Sequence, residues 1–314
     1  ALVVDESTSA PYYMAAHGID VWGIDLAWNR VPMDPPEGFE FMKDWGVEKD
    51  IDHVMRSLAI ARLIRVFSCQ GFSKLNLLGF SYGVDIAYGA AGRETQMHKV
   101  CRHIKGLVPV DSQMKSDDPD AMQGACADAA AQMELLNAGE YNNPWGVDFI
   151  GLGQVVLANP NGHDIHPVLT NIQIMNAAVT DHSAGWHFLG GNPFALSYSD
   201  SMRMPRLSVN LAPHQPRLMF YELSACGCPD LDVSYDDYLE LIELPILHIS
   251  AEGSDNSDDY TSSLTQTSDY TRLHVKDPDP TVPTEYNFGH ADLWLAKDAP
   301  EWVWLPLREW LVAH

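Results

Sequence analysis

Leu75-Asn76-Leu77-Leu78-Gly79-Phe80-Ser81-Tyr82-Gly83-Val84-Asp85-Ile86-Ala87-Tyr88-Gly89-Ala90-Ala91-Gly92 is the stretch that decides how this chain is read. Its first four residues form a short apolar run, the pattern of a buried strand. From Val84 onward small residues dominate, as a helix packed closely on a sheet requires. Between the two, Gly79-Phe80-Ser81-Tyr82-Gly83 sets a serine on a sharp strand-to-helix bend. Such a bend strains the serine backbone and calls for glycine two residues to either side. A serine held there stands at a helix N-terminus, where the Tyr82 N–H and the helix dipole can stabilise an oxyanion. The pentapeptide alone is a common string, but with a strand before it and a helix after it Ser81 reads as a nucleophile and not as a turn serine.

Working outward, Ile19-Asp20-Val21-Trp22-Gly23-Ile24-Asp25 follows Gly18, is rich in β-formers and is flanked by turn residues, which predicts a buried parallel strand. A helix is expected over 47–68. Further strands are expected at 104–110, 244–249 and, more weakly patterned, 272–275. Strands alternating with helices give an α/β chain whose mostly parallel central sheet is flanked by helices. The run 302–312, with Trp302, Trp304 and Trp310, predicts an amphipathic helix docked on that sheet.

From 112 to 243 the β pattern disappears for about 130 residues. Ala- and Met-rich helical text and Asn-Pro and Asn-Gly turns replace it, so the sequence predicts a helical insertion between two sheet strands. The expected division is a core of 1–111 and 244–314 with an inserted unit at 112–243. Its methionines and aromatics, among them Met175, Phe188, Met204 and Met219, supply its own core and an apolar surface above Ser81.

A serine hydroxyl is a poor nucleophile at neutral pH until an imidazole takes its proton. His290, in Gly289-His290-Ala291-Asp292, lies in a turn after the last expected strand and before the C-terminal helix, where it can reach over the sheet edge. The imidazole in turn needs a carboxylate to orient it, and two positions qualify. Asp111 sits at the C-terminal tip of the strand 104–110, where site residues gather in open α/β sheets. Asp255 follows the strand 244–249, in a loop crowded with Glu252, Asp258 and Asp259. His163-Asp164-Ile165-His166 and Asp181-His182 with His187 lack the helical spacing of a zinc protease and read as solvated or hydrogen-bonded histidines, so no metal is expected. His248 reads as a core histidine.

The chain has 314 residues, 19 basic against 43 acidic side chains and a formal charge of -24. That balance argues against nucleic acid or an anionic membrane as partner, because phosphate contacts need Lys and Arg. No apolar run reaches the roughly 18 residues a spanning helix needs. Five cysteines at irregular spacing do not predict a disulfide framework; Cys226-Gly227-Cys228 reads as free or locally paired thiols. Leu2-Val3-Val4 already reads as strand, which leaves room for a removed leading segment and leaves the compartment open, cytoplasmic or secreted.

Taken together, the segment 18–25, the pentapeptide 79–83, Gly106-Leu107-Val108-Pro109-Val110-Asp111 and Gly289-His290-Ala291-Asp292 resemble the α/β-hydrolase superfamily of esterases and lipases. The resemblance covers about 180 of the 314 residues, and the insertion occupies the place where that superfamily carries helical caps, or lids. It implies a serine hydrolase that cleaves carboxylic esters of small apolar substrates through an acyl-enzyme, with a Ser81–His290–Asp triad and no cofactor. The same triad also serves lactones, thioesters, amides and carbon–carbon bonds. In the superfamily the acid usually follows the strand placed here at 244–249, one residue earlier than Asp255; some lipases and the haloalkane dehalogenases carry it one strand earlier, which corresponds to Asp111. A second departure is at Val4-Asp5-Glu6-Ser7-Thr8, where members usually show the His-Gly pair whose loop gives the second oxyanion donor. Its absence keeps open a non-catalytic small-ligand binder built on the same scaffold.

Overall fold

The computed structural model describes residues 9–181, 183, 187–254 and 259–314. Among the described residues four parallel strands form the central sheet in sequential order: β1 (Leu75–Phe80), β2 (Ile104–Val110), β3 (Ile246–Ala251) and β4 (Tyr270–Val275). Phe80 pairs with Val110, Val110 with Ile249, and Ile249 with Leu273, so the C-terminal ends of the first three strands finish level with one another. Parallel strands buried on both faces favour near-continuous apolar text; β2 has it from Gly106 to Val110, and all six residues of β3 are buried, the polar His248 and Ser250 among them.

Helices cover both faces. On one side α2 (Val47–Phe67) and α3 (Gly83–Thr95) bury Val47, Ile51, Leu58, Val84 and Ala90 against Ile104, Leu107 and Ile246. On the other, α1 (Ala10–Ala16) and the C-terminal segment close over Val108, Val110, Leu247 and Ile249. Each fully buried Leu or Ile on these faces contributes about 2 kcal/mol of transfer free energy. Trp304 and Trp310 lie in that second core, as the sequence predicts. The predicted single C-terminal helix is split, however. A wide turn over Pro300–Trp304 precedes the α-helix Leu305–Ala313. Pro306 has no N–H to close the preceding turn, which is a sufficient cause for the break.

Between β2 and β3 the described residues form the α-helices α4 (Pro119–Asn137), α5 (Trp145–Ala158), α6 (Asn171–Val179), α7 (Arg203–Ser208) and α8 (Arg217–Gly227). Asp118 caps α4, and Thr170 with Gln173 forms a capping box on α6. Met175, Val179, Leu189, Met204 and Leu207 form a separate apolar cluster in this insertion, which closes onto Ala291 and Leu295 of the C-terminal region.

Two expectations need correction. The predicted strand at 19–25 is an exposed segment without strand structure: Val21, Trp22 and Ile24 are 41%, 41% and 38% accessible. A strand pattern states a preference for a pleated surface, but a strand forms only where a neighbour accepts its backbone hydrogen bonds, and none of the sheet pairings among the described residues reaches this segment. The cysteine reading also changes. Cys228 is not locally paired; it forms a disulfide with Cys126, 102 residues away, and ties α4 to the end of α8. Cys226 is a buried thiol, while Cys69 and Cys101 are exposed. The residues Leu2-Val3-Val4 and the segment 4–8 lie outside the described residues.

Candidate active site

Ser81 follows β1 with φ +54°, a left-handed conformation that non-glycine residues rarely adopt. Its N–H donates to Val110 O at 3.0 Å, which carries the strand ladder one residue past β1 and pins the bend to the tip of β2. Tyr82 then caps α3. The two flanking glycines turn out to be unequal. A Cβ on Gly79 would lie 2.0 Å from the Gly83 carbonyl oxygen, whereas a Cβ on Gly83 would meet nothing within 4 Å. The bend therefore depends on the absence of a side chain at 79, and Gly83 contributes its backbone as the surface that Gly79 touches.

One strand over, Asp111 repeats the same geometry, with φ +53° after β2. Left-handed backbone at a non-glycine residue costs on the order of 1–3 kcal/mol and persists only where surrounding contacts enforce it. Here the contacts are explicit. The Asp111 N–H donates to Ile249 O at 2.7 Å, and its Oδ1 accepts from the Ala251 N–H at 2.8 Å. That fixes the carboxylate, which is fully buried, with Oδ2 2.6 Å from His290 Nδ1. An Nδ1–H donated to a carboxylate places the lone pair of the neutral imidazole on Nε2, the tautomer a general base needs.

His290 is 3% exposed. Its ring stacks on Phe80 with centroids 4.4 Å apart, and Phe188 lies 5.8 Å away. Phe80 is the residue before the serine, so the stack places the imidazole beside the bend. The structure thus brings Ser81, Asp111 and His290 to one end of the sheet. Asp255 lies outside the described residues. His163 and His166 sit in an exposed loop and His187 is buried with its ring against Asn287 O at 3.1 Å, while His248 is buried inside β3. Among the described residues no group of three metal-ligating side chains converges.

Two further carboxylates brace the site. Asp50, in the first turn of α2, accepts from Tyr82 Oη at 2.8 Å and from Trp28 Nε1 at 3.2 Å, and burial raises its pKa. The side chain of the residue after Ser81 is thereby anchored to a neighbouring helix. Asp292, two residues beyond His290, is fully buried and accepts from the backbone N–H of Gly190 and Gly289 and from Ser199 Oγ. Its only signal in the sequence was its place in Gly289-His290-Ala291-Asp292; nothing local pointed to Asp50.

Parallel strands flanked by helices, with a strained serine after one strand and a buried His–Asp pair beside it, define an α/β-hydrolase fold. A solved structure bears on this directly. The chain is similar to a putative lipase from Sulfolobus solfataricus, at 19% identity and a TM-score of 0.67, over 98% of this chain and 77% of that one. Weaker likenesses are to metagenome-derived lipolytic enzymes (11% identity, TM-score 0.42, 87% of this chain and 76% of that one) and to an esterase from Thermogutta terrifontis (12%, 0.39, 88% and 72%). No family model matches the sequence, and no curated protein matches it at a significant level. The chain has the α/β-hydrolase fold, shared with the Sulfolobus protein along nearly its whole length. No helix among the described residues is long and apolar enough to cross a membrane.

Proposed function

We propose that the chain is a serine hydrolase that cleaves carboxylic esters of small apolar substrates through an acyl-enzyme. The observation that carries this reading is the buried 2.6 Å contact between Asp111 Oδ2 and His290 Nδ1, formed beside a serine with left-handed backbone. Ser81 Oγ attacks the ester carbonyl carbon as its proton passes to His290 Nε2, and the Asp111 carboxylate stabilises the resulting imidazolium. The carbonyl oxygen gains negative charge at the N-terminus of α3, where the Tyr82 N–H donates to it. When the tetrahedral species collapses, His290 returns the proton to the departing alcohol and leaves the acyl group on Ser81. Water repeats the sequence to release the acid. In this reading Asp111 is the third member of the triad, and residues 112–243 form the cap that shapes the substrate site with apolar side chains.

Replacing Ser81 by Ala tests the reading. Turnover of p-nitrophenyl esters should fall by about four orders of magnitude or more with the melting temperature unchanged, since the serine hydroxyl is the reacting atom. Undiminished turnover would sink it. A fluorophosphonate probe separates the enzyme from a ligand binder on the same scaffold: an enzyme is labelled at Ser81 at a rate that falls in His290→Ala, a binder is not.

A further inference from the structure

Asp292 lies too deep, and is too completely engaged, to be an incidental carboxylate near the site. Its Oδ2 accepts from the Gly190 N–H at 2.7 Å and the Gly289 N–H at 3.0 Å, and its Oδ1 accepts from Ser199 Oγ at 2.6 Å. Gly289 belongs to the turn that carries His290; Gly190 and Ser199 belong to the last part of the insertion before α7. One side chain therefore joins the two. The backbone does the same around it: the His290 N–H donates to His187 O at 3.1 Å, the Ala291 N–H to Phe188 O at 2.8 Å, and the Lys297 N–H to Tyr198 O at 3.1 Å. The two segments approach so closely that a Cβ on Gly190 would lie 2.0 Å from Asn287 O, and one on Gly289 would lie 2.7 Å from His187 Cδ2. Burial pushes the Asp292 carboxyl up to about 6 while its three donors act to lower it, so it is ionised at neutral pH and can accept from all three.

We propose that Asp292 is a positioning residue: it locks the turn bearing His290 to the segment 187–199, so that this part of the insertion is a fixed wall that holds the base in register with Asp111. The inference rests on the hydrolase reading above and goes beyond it. A cap is usually thought of as one body that opens; here the part joined to the histidine turn cannot move without moving the base.

The test uses the full chain in three variants, Ser81→Ala, Asp292→Asn and Ser199→Ala, with sites in the two variants that keep Ser81 counted by the burst of p-nitrophenol. An Asn oxygen in the place of Oδ2 still accepts from both glycines and its NH2 donates to the Ser199 hydroxyl, so the variant removes the charge that strengthens all three bonds and weakens the clamp without a large change of shape. Asp292→Asn should lower kcat per titrated site by about 10- to 100-fold with KM within about twofold, as expected when the loss is of geometry in the transition state. Ser199→Ala removes one donor and leaves the bond to the histidine turn, and its kcat should stay within about threefold. A lower melting temperature with unchanged kcat per site in Asp292→Asn means a purely structural carboxylate and overturns the proposal. If Asp292→Asn does not fold, hydrogen exchange in the wild-type chain decides. Amides at 188–191 and 289–291 should exchange together and as slowly as those of β3, and fast exchange at 188–191 overturns the clamp. Full activity in Ser81→Ala would instead remove the hydrolase reading itself, a result separable from failure of Asp292→Asn alone.

Discussion

Asp111→Asn is the most informative single perturbation of this molecule. The substituted amide keeps its oxygen where Asp111 Oδ1 accepts from the Ala251 N–H at 2.8 Å, so the left-handed turn after β2 retains its anchor. What changes is the other atom. An NH2 group replaces Oδ2, 2.6 Å from His290 Nδ1, and two donors then face each other. The imidazole relieves this by moving its proton to Nε2, which leaves Nδ1 as acceptor and no lone pair to take the serine proton. In a serine protease with the same arrangement, that change of tautomer lowers kcat by about 10⁴ with little structural change, equivalent to about 5.5 kcal/mol of transition-state stabilisation. We expect a loss of that order here in steady-state turnover of a p-nitrophenyl ester, with an unchanged circular dichroism spectrum and a melting temperature within a few degrees of wild type. The partner measurement is Asp255→Asn, which should leave turnover within about threefold if Asp111 alone orients the ring. An Asp111→Asn variant within about tenfold of wild type, or a larger loss in Asp255→Asn, would refute the reasoning.

Three further outcomes follow from the geometry. Gly83→Ala should fold and keep activity within about threefold, whereas Gly79→Ala, whose Cβ would meet the Gly83 carbonyl at 2.0 Å, should lose about 3 kcal/mol or more in denaturant melts and most of its activity; equal behaviour of the two would contradict the asymmetry. Breaking the Cys126–Cys228 bridge by Cys126→Ser, or by reductant on the wild-type chain, should cost about 4 to 5 kcal/mol in the chain-entropy limit, because it closes a loop of 102 residues; identical melts with and without reductant would argue against it. Asp85, buried in the first turn of α3, has its pKa raised from 3.8 to about 8 by desolvation, outweighing its attraction to Lys115. An unfolded Asp ionises near 3.8 while the folded one stays protonated until about 8, so wild-type stability declines as pH rises between those values and levels off above them. Asp85→Asn removes that decline: its melting temperature relative to wild type should climb from pH 4 to pH 8, and a gap that does not change with pH would refute the assignment.

Much of the site was legible in the order of residues because its decisive contacts are local. Gly79 and Gly83 touch across five residues, and apolar strand, tight bend and small-residue helix follow one another without interruption, so local sterics and periodicity suffice to set Ser81 on its bend. The strand expected at 104–110, the strand expected at 244–249 and formed at 246–251, the helix expected over 47–68 and formed over 47–67, and the docked C-terminal tryptophans were readable for the same reason, since each is announced by its own periodicity. Periodicity says which face of an element is buried but not what lies against it. The run 19–25 carries a strand pattern and forms no strand, because a ladder is completed by a partner that its own residues cannot specify. Asp111 and Asp255 had equal claims on the histidine as text; Asp111 reaches it across 179 positions because β2 and β3 end level and Ala251 turns the carboxylate inward. Asp292 and the Cys126–Cys228 bridge belong to the same class, each joining segments about a hundred residues apart. Hydrogen bonds and disulfides of that reach depend on where the folded sheet and insertion bring their atoms, and only the tertiary structure decides that.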